Sequence, residues 1–234
     1  MILQESARTI EHLPDYVSVM CHHLSPDEVR IWFVLHDEGG TTNLFRDGGI
    51  DDKTGIPIHG KIAIDRAEPE DGPCGNAWKV SNSRAADKWG PFLYDIAIEY
   101  ATMNGGGLMP DRFIVSDEAR AVWDYYIGKD KEGRRLRPGV TAHQLDNLAG
   151  ELTPKDMSDD CDQNVAELKP GWFESEDKDF AVTSIVNDIM KSTGEMPDNN
   201  SENEWWVESA MSKRYTKEPS TINALKKARR WIEE

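Results

Sequence analysis

The chain has 234 residues, enough to bury a sizeable core in one medium domain with long additions or in two small domains. It carries 43 acidic residues against 27 Lys and Arg, and the formal net charge of −16 argues against a general nucleic-acid binder and against docking on anionic lipid. The longest uninterrupted apolar stretch, Ile31–Leu35, is far too short to span a bilayer, and the N-terminal MILQESARTIEHL lacks the basic flank and apolar run of a signal peptide.

In chain order, Ser25-Pro26-Asp27-Glu28 has the form of a capping box with proline in the first helical turn, and Gly39-Gly40 would stop a helix. Residues 1–55 are therefore expected to be a mainly helical segment, although Ile31–Leu35 would serve equally as a buried strand. From Asn43 to Gly55 the chain is polar and glycine-rich, a loop; Ile56–Ile64 alternates as a half-buried strand, and Asn76–Ser81 is a second strand candidate. Pro91–Met103 is the clearest helix: Leu93, Ile96, Ala97, Tyr100 and Ala101 form one stripe, Pro91 suits the first turn, and Gly105-Gly106-Gly107 ends it. Leu108–Val115 is a short extended piece broken by Pro110, and Ser116 is the N-cap of a helix running through Tyr126.

Beyond Thr141 the composition shifts. Residues 142–208 hold 17 acidic residues against 4 basic and one helix candidate, Phe180–Lys191; residues 209–234 hold 7 basic against 3 acidic. A final helix starts near Ser220, with Ile222, Leu225 and Ile232 as its apolar face beside Lys226, Lys227, Arg229 and Arg230. Four segments follow from this reading: 1–55, a core at 56–140, an acidic extension at 141–208, and a basic amphipathic C-terminal helix at 209–234.

A tight turn from a strand into a helix presents unpaired backbone N–H groups and a partial positive charge, which suits a pyrophosphate. The turn Arg84–Gly90 between the second strand candidate and the Pro91 helix is of this kind: Gly90 permits close backbone approach and Lys88 adds a cation, while Asp87 opposes an anion and Pro91 removes a donor. An ordinary strand–helix connection reads the same way. Val80, Asn82, Ala85, Lys88 and Gly90 fall in register on the pattern V-x-P-x-x-(R/Q)-x-x-G-x-(G/A) of the GNAT acyltransferases. Leu93, Ala101 and Gly105 follow where that family has its helix, and Ser116, Ala119, Val122 and Trp123 take the places of its later N-x-x-A-x-x-L-Y. The segment resembles GNAT-like proteins encoded by tailed bacteriophages. Asn82 stands where the family has Pro, Ala85 where it has Arg or Gln, Lys88 where it has Gly, and Trp123 where it often has a tyrosine.

The resemblance implies an α/β fold with a GNAT-like mixed sheet and flanking helices, plus mostly helical or irregular extensions. It implies an acyl-CoA-dependent N-acyltransferase, with acetyl-CoA or another acyl-CoA lying in a splay between two parallel strands and an amine attacking the thioester directly. Val80, Asn82, Ala85, Lys88, Trp89, Gly90 and Ser116 would hold the acyl-CoA; Tyr126 is the candidate acid for the leaving thiolate and Asp65 the candidate base. Such an enzyme is expected in the cytoplasm, here of a phage host. The alternative is a catalytically degenerate GNAT-fold structural or interaction protein, a virion component docking on an assembly partner through its C-terminal helix. Two further strands, usual in the family after the second helix, leave no clear signal beyond Tyr126.

Other signals carry less. Cys21, Cys74 and Cys161 are odd in number and widely spaced, which fits a reducing compartment and no disulfide framework. Cys21-His22-His23 invites a metal reading, but on a helix these adjacent residues point apart and no second pair sits at ligand spacing, so no metal site is assigned.

Overall fold

A computed structural model describes residues 8–37, 39–50, 55, 57–67, 76–111, 115–128, 137, 139–145 and 209–234. The N-terminal segment is not helical beyond a 3-10 turn at Ile10–His12: it forms strands β1 (Val17–Ser25), β2 (Glu28–Asp37) and β3 (Gly40–Asn43), and a single-turn helix α1 (Leu44–Asp47). The Ser25-Pro26-Asp27-Glu28 sequence explains the difference. Ser25 Oγ accepts the backbone N–H of Asp27 at 3.1 Å, so the residues that would cap a helix instead close the β1–β2 hairpin, with Ser25 opposite Glu28. A hydroxyl that bonds a nearby backbone N–H serves both motifs, and proline at the second position suits both. The choice is made by burial. Val17–Cys21 on β1 are all buried, and on β2 Val29, Ile31 and Phe33 are 0% exposed between the more exposed Arg30 and Trp32, the alternation of a strand.

The sheet continues through β4 (Gly60–Arg66) and β5 (Trp78–Ala85), both antiparallel to their predecessors in the order β1–β2–β4–β5. Helix α2 (Gly90–Met103) then crosses to β6 (Leu108–Met109), which pairs parallel with β5 through Trp78↔Leu108 and Lys79↔Met109. Every residue of α2 from Pro91 to Ala101 is buried, including the faces opposite the expected apolar stripe. Two of the glycines after α2 are sterically required: at Gly105 a Cβ would lie 2.4 Å from the Asn76 carbonyl oxygen, and Gly107 has φ 103° and would place a Cβ 2.5 Å from that of Tyr215. Helix α3 (Asp117–Ile127) follows, its N-terminus capped by Ser116 Oγ accepting from Ala119 N at 3.2 Å.

Three strands follow α3 among the described residues: β7 (Val140–Gln144) and β8 (Lys213–Lys217) pair antiparallel, β8 inserts beside β6 through Leu108↔Tyr215, and a third comes near the C-terminal end. Helix α4 (Ser220–Lys227) and strand β9 (Trp231–Glu233) complete the described chain, with β9 parallel to β1. The sheet order is β7-β8-β6-β5-β4-β2-β1-β9, with β3 on β2, so one mixed sheet draws strands from residues 17–43, 60–85, 108–144 and 213–233. The basic C-terminal segment is thus only partly helical. Ile222 and Leu225 of α4 are 1% and 0% exposed within the main core, while Ile232 lies half-buried on β9 instead of on the helix. The acidic stretch 146–208, with its helix candidate Phe180–Lys191, and Cys74 and Cys161 lie outside the described residues. Among the described residues no helix is long and apolar enough to cross a membrane.

Candidate functional site

The pairing of β5 with β6 stops after two residues. Pro110 follows Met109 at once and cannot donate to a ladder, whereas β5 runs on to Ala85. A bulge adds to the divergence: Ala63 pairs with Asn82 and Ile64 with Val80, so Ser81 is the extra residue on β5, and a bulge bends and twists its strand. The wedge so opened holds a cavity of about 270 Å³ lined by Val80, Asn82, Ser83, Asp111 and Ser116. A larger cavity of about 550 Å³ adjoins it, bounded by Ala85 and Lys88 of the turn, Gly90 of α2 and Val122 of α3. Ser83, Tyr94, Ser116 and Ala119 line both, so the two form one cleft running from the β5–β6 fork to the first turn of α2.

That first turn is open chemically. Trp89, at the N-cap position, is in the αR region and makes no side-chain cap; Pro91 has no N–H and Leu93 N donates to the Trp89 carbonyl at 3.2 Å, so Gly90, which lines the cavity, is where a backbone N–H of this turn meets the cleft end. At Gly90 a Cβ would meet only Val122 Cγ2, at 3.8 Å, so neither packing nor backbone requires glycine there. Lys88 is the reverse case. Its φ is 72°, the left-handed region that favours glycine, yet it is a lysine whose side chain lines the cavity. Strain of this kind concentrates at functional positions. Lys61 and Arg84, opposite one another on β4 and β5, bring two more cations to the same cavity, both leaning over the Phe45 ring of α1; Asp87 and Glu118 are the acids on its wall.

Of the residues proposed from sequence to hold an acyl-CoA, Val80, Asn82, Ala85, Lys88, Gly90 and Ser116 line the cleft. Trp89 does not: its ring is 1% exposed and packs edge-on against Phe33 at 5.3 Å. Neither proposed catalytic residue reaches the cleft. Tyr126 is 0% exposed, and its hydroxyl donates to the Pro91 carbonyl at 3.0 Å and to Asp95 Oδ1 at 2.9 Å. Asp65 does not line either cavity: it sits opposite Lys79, one position before Val80 on β5. The tyrosine that does line the cleft is Tyr94, whose hydroxyl is 2.9 Å from Ser83 Oγ; burial pushes its pKa above the ordinary value, with the Ser83 bond opposing. In sequence Tyr94 looks like one more apolar position on α2, and only the register of β5 against that helix singles it out.

A second cluster lies on the other side of α2. Asp95 and Glu99 are 2% and 0% exposed. Arg137 pairs with Asp95 through both Nε, at 3.1 Å, and Nη2, and Lys217 Nζ lies 3.5 Å from Asp95 and bonds Glu99 Oε1. Glu99 also accepts the backbone N–H of Thr221 at 2.9 Å and of Ile222 at 2.7 Å. Each carboxylate is fully engaged, and the cluster joins α2 to β8 and α4. No family model, curated protein or solved structure matches this chain.

Proposed function

We propose that the chain is an acyl-CoA-dependent N-acyltransferase of the GNAT type, acting on an amine. The observation that carries the reading is the fork at Lys79 and Met109, where a parallel strand pair opens into a cleft that ends at an uncapped helix N-terminus. The resemblance expects an acyl-CoA in that place, and the antiparallel β7–β8 pair after α3 supports it. The pyrophosphate would meet the Gly90 backbone N–H at the start of α2 with Lys88, Lys61 and Arg84 around it. Pantetheine would follow the edge of β5 at Val80–Asn82, whose side towards β6 has no strand partner among the described residues.

The amine nitrogen attacks the thioester carbonyl, the new C–N bond forms, the C–S bond breaks, and CoA leaves as its thiolate. Asp111, in the narrow part of the cleft, takes the amine proton in place of Asp65. Tyr94 takes the role first given to Tyr126: its hydroxyl, kept protonated by burial, donates a hydrogen bond to the departing sulfur. Calorimetric titration with acetyl-CoA tests the binding half of the reading. The second reading, a catalytically degenerate GNAT-fold structural or interaction protein and virion component, draws on Asp87 and Glu118 in the cleft wall, which oppose a polyanion. Because Ile222 and Leu225 are buried in the fold, a partner would meet the exposed basic residues Lys226, Lys227 and Arg229. Absence of acetyl-CoA binding together with recovery of the chain in purified particles would favour it.

A further inference from the structure

Cys21 and His23 are two residues apart on β1, a strand and not a helix, so their side chains leave the same face. Strand β9 lies beside β1 in parallel register with Glu233 opposite Cys21, which brings a carboxylate to that face. A Cys21 sulfur, a His23 ring nitrogen and a Glu233 oxygen all lie within 4.8 Å of one another. Tetrahedral ligands on zinc stand roughly 3.5 Å apart, and small rotations of the two longer side chains close the difference. Those side chains reach the surface, His23 being 38% and Glu233 47% exposed, while Cys21 forms the floor of the site at 0% exposed.

The surroundings orient the donors. His23 Nδ1 is 3.4 Å from the Tyr100 hydroxyl, and Nε2 is 3.4 Å from Glu233 Oε1. With Nδ1–H donating to Tyr100, Nε2 presents its lone pair on the side of Cys21 and Glu233, the outer-shell arrangement that metal-bound histidines use. The other Glu233 oxygen accepts from Trp231 Nε1 at 3.0 Å and faces Lys226 Nζ at 3.9 Å, which leaves Oε1 directed at the site.

We propose that Cys21, His23 and Glu233 bind one zinc ion between β1 and β9, with a fourth position open to water. A thiolate and an imidazole select zinc over magnesium or calcium, and a set drawn from two strands would clip β9 to the sheet. The test is titration of the full, reduced, chelator-treated chain with Zn²⁺ and with Co²⁺ as its spectroscopic substitute. The expected result is one metal per chain, a thiolate-to-cobalt charge-transfer band, and a Tm that rises with added zinc. His23→Ala and Glu233→Gln, both at exposed side chains, should each weaken binding roughly tenfold or more. Cys21→Ser should remove the charge-transfer band although Cys74 and Cys161 remain. Failure to bind zinc, a band that survives Cys21→Ser, or unchanged affinity in both His23→Ala and Glu233→Gln would each overturn the assignment. Should Cys21→Ser not fold, the two exposed variants decide alone.

Discussion

The Glu99 carboxylate, wholly buried in the middle of α2, accepts the backbone N–H of Ile222 at 2.7 Å and so caps a helix 123 residues further along the chain. Helix α4 has Pro219 at its N-cap and no side-chain cap of its own. Glu99 supplies the missing acceptor, its charge complements the helix dipole, and Lys217 Nζ neutralises it from β8.

Removing Glu99 therefore strands a buried cation and two backbone donors at once. Glu99→Ala is expected to cost about 3–5 kcal/mol in denaturant unfolding. Lys217→Met should be costly alone, and Glu99→Gln with Lys217→Met together should lose less than the sum of the two singles. Strict additivity in that cycle would show that the two residues do not act as a pair.

The C-terminal segment is part of the fold and not an appendage. Leu225→Ala should cost about 2–5 kcal/mol, because Leu225 is 0% exposed in the main core. Truncation after Glu218 should lower the Tm sharply, since it removes α4 and the β9 partner of β1. An unchanged Tm on truncation would return the helix to a docking role.

Much of this architecture was legible and some was not, for identifiable reasons. Helices α2 and α3 followed from the stripe through Leu93 and Ala101, the glycine stop and the Ser116 cap, all local signals. The β1–β2 hairpin departs from the helical expectation because Ser25-Pro26-Asp27 chemistry serves a cap and a turn alike, and only tertiary burial decides. Strand β8 was missed because Lys213-Arg214-Tyr215-Thr216-Lys217 looks solvated. Arg214 and Lys217 are in fact 9% and 8% exposed, and Lys217 is buried against carboxylates of α2. In the cleft, the residues set by backbone register were found, and the side chains reaching in from elsewhere, Tyr94, Lys61 and Asp111, were not.

Lys88 separates strain from function. Lys88→Gly should stabilise the fold by about 1 kcal/mol, because φ 72° costs a lysine and not a glycine. The same change should weaken acyl-CoA binding by removing a cation from the cavity. Stability and affinity moving together would argue that Lys88 serves the fold alone.

The two tyrosines should behave oppositely. Tyr94→Phe should lower kcat roughly 100-fold with little change in KM, as expected for a group acting on the leaving sulfur. Tyr126→Phe should spare kcat and cost about 1–3 kcal/mol of stability, since Asp95 loses a buried donor. A kcat loss confined to Tyr126→Phe would restore the residue first proposed from sequence.

Burial raises the pKa of Tyr94, Tyr126 and Tyr215, and pushes Tyr100 up to about 12. A folded-state pKa above the unfolded value gives stability that is complete below pH 10 and is lost as pH rises through the folded values. These phenolates should thus appear together with loss of the far-UV circular dichroism signal, as alkaline unfolding. Their full titration in a chain that stays folded would contradict the burial described here.

The most direct test of the account is calorimetric titration of acetyl-CoA into the full chain and into Gly90→Val, with circular dichroism on both. Gly90 has room for a Cβ, so the variant should fold normally, while its side chain blocks approach to the first turn of α2. Binding to the unaltered chain should be one-to-one, and Gly90→Val should bind at least roughly tenfold more weakly, about 1.4 kcal/mol or more. No binding to the unaltered chain, or equal affinity in a folded Gly90→Val, would contradict it.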